Sequence, residues 1–336
     1  MSNEKMETQT DKKQKSTFLI RLISTVFLLL LLIAYCGSGI MFQELSSRVA
    51  EKWVVTFAYI SMVLTMILMS YCLFELTHVF KEFNKPYIIM LFILLNLIMY
   101  LIPTNGHAYD FAFYAEFRID ASWWIWVVVL AFIAYFVVFL IIGLTAKKVG
   151  LKRAMYAFLG MFFIVIAFKG FTILMLSGPQ NVTGRYSYVT VLWIWLMAIF
   201  SDTFAYVAGS KIGKTKLAPV ISPKKTWEGA YVGLATATGA GIIVALLLHF
   251  FAKEYQPFYQ AIMSLDTEWS RIVIIVILAI CFPIISMLGD LFYSLIKRFL
   301  NVKDYSNLIP GHGGMLDRLD SFIFVNAVAF LLVGFI

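Results

Sequence analysis

Four oxygen-bearing side chains near the C-terminus have the types and the spacing of a metal site. They are Asp290, Ser294, Asp317 and Asp320. The first two are four residues apart and the last two are three apart, so each pair would share one face of a helix. Such oxygen ligands suit Mg²⁺, which proteins typically hold with one or two carboxylates together with substrate phosphates. Salt bridges to the nearby Arg298 and Arg318 are the alternative interpretation.

A second group of residues has the composition of a phosphate-binding segment. Its lysines are interspersed with glycines and prolines, and it consists of Gly209, Lys211, Gly213, Lys214, Lys216, Pro219, Ser222, Pro223, Lys224, Lys225 and Thr226. Lysines supply charge for phosphates, and glycines permit close approach of the backbone. A turn at 310–314, with the sequence PGHGG, can direct backbone N–H groups at an anion. Lipid headgroups are an alternative ligand for the lysines, and the sequence contains neither GxxxxGK(S/T) nor GxGxxG. Together the two groups indicate phosphoryl or nucleotidyl transfer.

The composition shows what kind of protein must position these residues. The chain of 336 residues is 61% hydrophobic and only 14% charged, and its mean hydropathy is +0.86. Soluble domains have about 45–50% apolar and about 25% charged residues. We therefore expect an all-α, polytopic integral membrane protein, whose apolar surface faces lipid and neighbouring helices. In such a protein, basic residues in the cytoplasmic loops explain a net charge of +8 better than nucleic-acid binding does. We therefore expect no nucleic acid as a partner.

Apolar runs predict about nine transmembrane helices, each close to the length that crosses a bilayer. They lie near 22–43, 53–76, 87–103, 122–145, 154–176, 187–207, 229–251, 271–292 and 319–336. With the N-terminus inside and the C-terminus outside, 20 of the 27 basic residues fall in inside loops and six fall in outside loops. That asymmetry favours the N-inside orientation. Lys169 falls within a predicted span, either facing a partner or reaching towards the interface.

The predicted organisation has three parts. Residues 1–16 form a polar cytoplasmic tail, residues 17–199 form the N-terminal transmembrane helices, and residues 200–336 form a catalytic transmembrane region. Two polar segments, 201–229 and 289–321, carry both groups of chemical residues and lie on the cytoplasmic side in this topology. We therefore expect the nucleotide- and metal-binding loops at the cytoplasmic face.

The C-terminal two fifths of the chain resemble a known enzyme family. The stretches that carry the resemblance are Ser294-Leu295-Ile296-Lys297-Arg298, Lys303-Asp304, His312-Gly313-Gly314 and Asp317-Arg318-Leu319-Asp320. They fill the fixed positions of the signature of phosphatidate cytidylyltransferases, also called CDP-diacylglycerol synthases. Upstream, DTFAY at 202–206 and SPKKTWEG at 222–229 are also similar to that family, and the resemblance covers roughly 200–336. One departure is Ser210, where members of the family often carry a basic residue.

The resemblance implies that the chain transfers a cytidylyl group from CTP to phosphatidic acid, giving CDP-diacylglycerol and pyrophosphate. It implies Mg²⁺ as the cofactor, with K⁺ as a candidate second cation beside it. We also expect a bacterial inner-membrane location and membrane lipids as partners, and a homodimer is left open. The implied catalytic residues are Asp290, Lys297, Arg298, His312, Asp317 and Asp320. The implied nucleotide-binding residues are Asp202, Lys214, Ser222, Lys224, Lys225, Thr226 and Glu228, and the metal ligands are Asp290, Ser294, Asp317 and Asp320.

Two other classes of membrane protein are alternatives to this interpretation. A transporter would explain many spans and Lys169, but it predicts ionisable residues near the bilayer midplane, whereas here the charged groups collect at one face. A CTP-dependent lipid kinase is the closer alternative, since it would use the same nucleotide with a lipid alcohol. The CDP-alcohol phosphotransferase pattern is absent from the sequence.

Overall fold

A computed structural model of the chain describes residues 26, 29–46, 52–102, 124–146, 149–176, 188–306 and 313–335. The helices, in chain order, are α1 (Leu29–Ser46), α2 (Val55–Val79), α3 (Pro86–Leu101), α4 (Trp124–Thr145), α5 (Gly150–Leu176), α6 (Tyr188–Ile212), α7 (Trp227–Phe251), α8 (Tyr259–Met263), α9 (Glu268–Phe299) and α10 (Leu316–Phe335). Between α6 and α7, strands β1 (Lys216–Ala218) and β2 (Ser222–Thr226) pair antiparallel as a hairpin. The chain is therefore helical throughout these residues apart from this hairpin and short connections.

Helices occur at the positions of the predicted spans, which confirms the all-α membrane fold. Six of them, α1, α2, α5, α6, α7 and α9, are long and apolar enough to cross a membrane. Helix α3 (Pro86–Leu101) and the apolar stretch Val129–Thr145 within α4 are shorter, and α10 begins with charged residues. The chain is an integral membrane protein of the polytopic helical class. The count of nine spans, the N-inside orientation and the division at residue 200, which α6 crosses, stay predictions.

Two helices continue beyond their predicted spans into the polar segments. Helix α6 ends at Ile212 instead of near 207, and α9 ends at Phe299 instead of near 292. Lys297 and Arg298 therefore form the last turn of α9, where basic side chains interact favourably with the helix dipole. Part of each polar segment is thus helical, and the segment 201–229 also contains the hairpin.

Glycines bring the helices of the C-terminal region into close contact. A Cβ atom at Gly233 on α7 would lie 2.5 Å from the carbonyl oxygen of Ser201 on α6. A Cβ atom at Gly289 on α9 would lie 2.6 Å from the Cβ of Phe324 on α10. Small residues at such positions allow neighbouring backbones to approach, as is common between membrane helices. The close approach places the polar ends of four helices beside one another.

Lys169 on α5 binds the C-terminal end of α3. Its Nζ donates to the carbonyl oxygens of Met99 and Tyr100, each at 3.2 Å, and to that of Ile102. The last carbonyls of a helix have no partner within the helix, and a basic side chain can satisfy them. The structure thus gives this buried lysine a structural partner, away from the polar segments that carry the candidate site.

Candidate active site

Lys297 at the end of α9 lies between two aspartates at the start of α10. Its Nζ donates to Asp317 Oδ1 at 2.7 Å and lies 4.0 Å from Asp320 Oδ2. The two aspartates share a face of α10, as their spacing predicts, so one amine can reach both. The side chains are only 6–11% exposed. The ion pair between Lys297 and Asp317 is shielded from solvent, so each charge needs its partner, because an unpaired buried charge is strongly destabilising.

The second oxygen of Asp317 binds the backbone of the loop that precedes α10. It accepts hydrogen bonds from the N–H groups of Tyr305 at 2.8 Å and Gly314 at 3.0 Å. Tyr305 in turn donates its hydroxyl to the carbonyl oxygen of Tyr293 at 2.9 Å, and burial raises the pKa of that hydroxyl. The Lys297 amine lies 5.3 Å from the centre of the Tyr305 ring. These contacts fix the orientation of the Asp317 carboxylate.

Glu75 on α2 is a site residue that the sequence analysis missed. It is fully buried, and its carboxylate accepts from the Ser306 hydroxyl at 2.5 Å, from Met315 N at 3.0 Å and from Leu316 N at 2.7 Å. It therefore caps the N-terminus of α10, where backbone N–H groups have no helical partner. The one available signal was a carboxylate inside an otherwise apolar predicted span, 53–76. Such a residue is costly unless it is bound.

Asp290 on α9 joins the hairpin to the helices. Its Oδ2 pairs with Nζ of Lys225 at 2.5 Å, and its Oδ1 accepts from the Ser294 hydroxyl at 3.2 Å. The second contact confirms that Asp290 and Ser294 share a helix face. Lys225 and Asp290 are about a quarter exposed, so solvent and solutes reach this pair. The nucleotide-binding and metal-binding segments predicted from sequence therefore meet at one ion pair.

Asp202 on α6 brings a further carboxylate to the same place. Its Oδ2 accepts from the hydroxyl of Ser321 at 2.9 Å. It lies close enough to Asp290 and Asp320 for the three carboxylates to repel one another, and Lys225 attracts it. We call Asp202, Asp290, Asp317 and Asp320 the carboxylate layer. Four acids from three helices thus face two lysines from the hairpin and α9.

The ends of the hairpin are held by Glu228 and Thr226. The Glu228 carboxylate accepts from the backbone N–H groups of Lys214 at 3.0 Å and Thr215 at 3.1 Å, and from the Thr215 hydroxyl. Thr226 is buried, and its hydroxyl caps α7 by accepting from Gly229 N at 3.2 Å. Both residues were predicted to bind nucleotide. The structure gives each of them local partners that shape the loop.

Arg298 fixes the tip of the hairpin against α9. Its Nε donates to the carbonyl oxygen of Ile221 and a terminal nitrogen donates to that of Val302, both at 3.1 Å. It therefore ties the β1–β2 turn to the C-terminal end of α9. The other predicted nucleotide contacts lie on the exposed or half-buried surface of the hairpin and are Lys214, Ser222 and Lys224. His312 lies outside the described residues.

The chemistry of these residues fits a divalent cation held together with substrate. In the ranges that the structure describes, no group of three or more His, Cys, Asp or Glu residues is close enough to hold a metal ion by itself. Mg²⁺ is typically bound by one or two carboxylates plus phosphates, so a complete protein cage is not required. Asp202, Asp290 and Asp320 repel one another, and a cation among them would offset that repulsion. The metal assignment stays a prediction.

Comparison with known proteins extends the match beyond residues 200–336. Residues 15–336 match the cytidylyltransferase family. Among similar proteins, the phosphatidate cytidylyltransferase of Rickettsia bellii is 33% identical over 54% of this chain and 70% of its own length. That of Brucella abortus is 31% identical over 51% of this chain and 54% of its own length. Phosphatidate cytidylyltransferase 5, chloroplastic, of Arabidopsis thaliana is 40% identical over 43% of this chain and 32% of its own length. Apart from the Rickettsia bellii protein, the chain thus spans about half or less of these relatives.

Proposed function

The chain belongs to the cytidylyltransferase family, and we propose that it transfers a cytidylyl group from CTP to phosphatidic acid. The products are CDP-diacylglycerol and pyrophosphate, and the reaction serves phospholipid biosynthesis. The names of its relatives support this activity. Nucleotidyl transfer also agrees with a site built from lysines and carboxylates at the ends of membrane helices.

One contact carries the structural part of the proposal. The Lys225–Asp290 ion pair at 2.5 Å joins the lysine-rich hairpin to the carboxylate layer, although these segments are 65 residues apart in the chain. A nucleotide triphosphate needs positive charge and hydrogen-bond donors, and a metal-bound phosphate also needs carboxylates close by. The pair places both kinds of group within reach of one substrate. Partial exposure of both side chains allows the triphosphate to replace the carboxylate as the partner of Lys225.

In the proposed reaction an oxygen of the phosphatidate phosphate attacks the α-phosphorus of CTP. A new P–O bond forms, the bond between the α-phosphorus and the bridging oxygen breaks, and pyrophosphate leaves with that oxygen. A phosphate monoester has its second pKa near 6, so most of it is doubly ionised at pH 7 and needs no general base. Positioning and charge neutralisation therefore provide most of the catalysis. Lys225 reduces the repulsion between two anionic substrates, Lys297 holds Asp317 and Asp320 in place, and Arg298 holds the hairpin in place.

Mg²⁺ is proposed as the cofactor, with K⁺ as a candidate second cation. The residues that would hold Mg²⁺ are Asp290 with Ser294 on α9 and Asp320 with Asp317 on α10, and Asp202 is the further carboxylate nearby. When bound, Mg²⁺ would supply positive charge for the triphosphate and the leaving pyrophosphate. The charge asymmetry of the loops supports an active site on the cytoplasmic side. The bacterial relatives support a bacterial inner membrane as its location. A homodimer remains an open proposal.

The label position in CTP separates this activity from its closest alternative. Purified protein is incubated with phosphatidic acid, diacylglycerol and Mg²⁺, once with CTP labelled at the α-phosphate and once with CTP labelled at the γ-phosphate. Cytidylyl transfer places the α-label in the lipid fraction and the γ-label in pyrophosphate. A CTP-dependent lipid kinase would instead place the γ-label in lipid when given diacylglycerol. Label in lipid only from the γ-position would overturn the proposal.

A further inference from the structure

A second feature lies beside the carboxylate layer, on the apolar side of it. A partly open cavity of about 190 Å³ is lined by side chains from α1, α2, α5, α6 and α10. Its lining is almost entirely apolar, with Trp195 and Ile199 of α6 and Phe322 of α10 among the residues. The polar exceptions include Arg318, which is exposed, and Asn326, whose side-chain oxygen accepts from Trp195 Nε1 at 3.0 Å. The cavity is therefore apolar along its length and carries a cation at one end.

Two helices independently give the direction in which the cavity extends. Along α10, the lining runs from Arg318, between two members of the carboxylate layer, to Asn326, which at 1.5 Å per residue is about 12 Å further along. Along α6, the lining residue Trp195 is about 10 Å from Asp202 by the same measure. The cavity thus begins beside the charged residues and extends away from them along the spans. Half of the hydrocarbon core is about 15 Å thick, so this depth lies within one leaflet.

We propose that this cavity binds the first part of one acyl chain of the phosphatidic acid substrate, with Arg318 beside the lipid phosphate. The inference rests on the proposed function and adds the place where the lipid binds. An apolar cavity of about 150 Å³ accommodates benzene, so 190 Å³ suits a segment of one acyl chain. Arg318 lies at the same level along α10 as Asp317 and Asp320, although on a different face. On α6, the lining residues Trp195 and Ile199 share a face with Asp202, so a phosphate beside Arg318 would lie on the Asp202 side of the carboxylate layer. Charge at one end and apolar walls beyond it match the two parts of an anionic lipid.

Binding can be tested without any nucleotide. The full-length protein is placed in phosphatidylcholine vesicles with a trace of phosphatidic acid that carries a photoreactive group near the carboxyl end of one acyl chain. After illumination, we expect labelled peptides from 188–212 and 316–335. An excess of unlabelled phosphatidic acid should suppress the labelling at least tenfold. Equal suppression by diacylglycerol, which lacks the phosphate, would show general binding of bilayer lipid and overturn the proposal.

A bulky substitution with a matched control tests the same cavity by kinetics. Ile199→Trp adds a ring to the lining at a position that is 48% exposed, so the helix tolerates the change without buried overpacking. Leu192→Trp, two turns away on α6 and 40% exposed, is the control because that residue does not line the cavity. For Ile199→Trp we expect a rise of about tenfold in KM for phosphatidic acid, which is the size of effect that pocket contacts produce. KM for CTP should stay at the parental value, and the control should match the parent in both.

The outcomes separate this inference from the proposed function. If the parent forms no CDP-lipid but the photoreactive lipid still labels the two helices in a phosphate-dependent way, the activity is wrong and the lipid site stands. If the parent forms CDP-lipid while Ile199→Trp and Leu192→Trp have the same KM for phosphatidic acid, the cavity is not the acyl site. Photolabelling of Ile199→Trp at the parental level would likewise show that the acyl chain binds elsewhere.

Discussion

Replacing Glu75 on α2 with glutamine should lower the activity by displacing the start of α10. The buried carboxylate accepts three hydrogen bonds at 2.5–3.0 Å, two of them from the first backbone N–H groups of α10. Whichever oxygen the substitution replaces, the new NH₂ group faces at least one of those N–H groups. Hydrogen bonds to charged groups contribute about 1.5–3 kcal/mol each, so we expect a local loss of about 2–4 kcal/mol. The start of α10 carries Asp317 and Asp320, and a displacement of about 1 Å at a reacting site can cost about 100-fold in rate.

The assay is the transfer of label from α-labelled CTP into lipid by Glu75→Gln and by the parent, with purified protein in the same detergent. We expect kcat to fall by about 10- to 100-fold, with protein that still elutes as a folded species. Glu254→Gln is the control, since that carboxylate is exposed in a short 3₁₀ segment after α7 and should leave activity unchanged. Parental kcat and thermal midpoint in Glu75→Gln would refute the argument that this residue positions α10.

Three further changes test other contacts. Lys225→Ala should lower kcat/KM for CTP by about 10- to 100-fold through loss of a charge-assisted phosphate contact, whereas Lys81→Ala, exposed in the loop after α2, should have little effect; equal values for both would contradict the hairpin's role. Gly233→Ala should lower the thermal midpoint, because overpacking typically costs about 1–3 kcal/mol. Gly239→Ala, which meets no atom within 4 Å, should not, and similar midpoints would contradict the close packing of α6 and α7. Lys169→Met should destabilise the protein by about 1–3 kcal/mol by leaving carbonyls of α3 unpaired, and an unchanged midpoint would contradict that contact.

Local patterns in the sequence predicted the parts of the structure that depend on neighbours in the chain. Apolar runs gave the helices, because a membrane helix satisfies its own backbone groups. Spacing gave the shared faces of Asp290 with Ser294 and of Asp317 with Asp320, which the structure confirms through their contacts. The meeting of the two polar segments followed from their placement on one side of the membrane.

Contacts between distant segments could not be predicted in the same way. Glu75 reaches the start of α10 across some 240 residues, and its apolar neighbours give no indication of that partner. The hairpin was missed because a strand of three residues has too short a pattern to distinguish it from a loop. The sequence led us to expect Arg298 to be catalytic and Glu228 to bind the nucleotide, and the packing adds that Arg298 binds the carbonyl oxygen of Ile221 and Glu228 binds the N–H group of Lys214. Sequence identified the charged residues, and only the packing showed which of them support the others.

The central claim is that the carboxylate layer and the hairpin lysines act together on CTP, and Asp290→Asn tests it most directly. This change keeps the shape of the residue that joins the two parts but removes its charge. The measurement is the rate at which α-label from CTP enters the lipid fraction. Asp266→Asn is the control, since that residue is exposed in the loop before α9. The account predicts a loss of at least about 100-fold in Asp290→Asn with folding retained, and parental activity in the control. Parental transfer by a folded Asp290→Asn protein would contradict it.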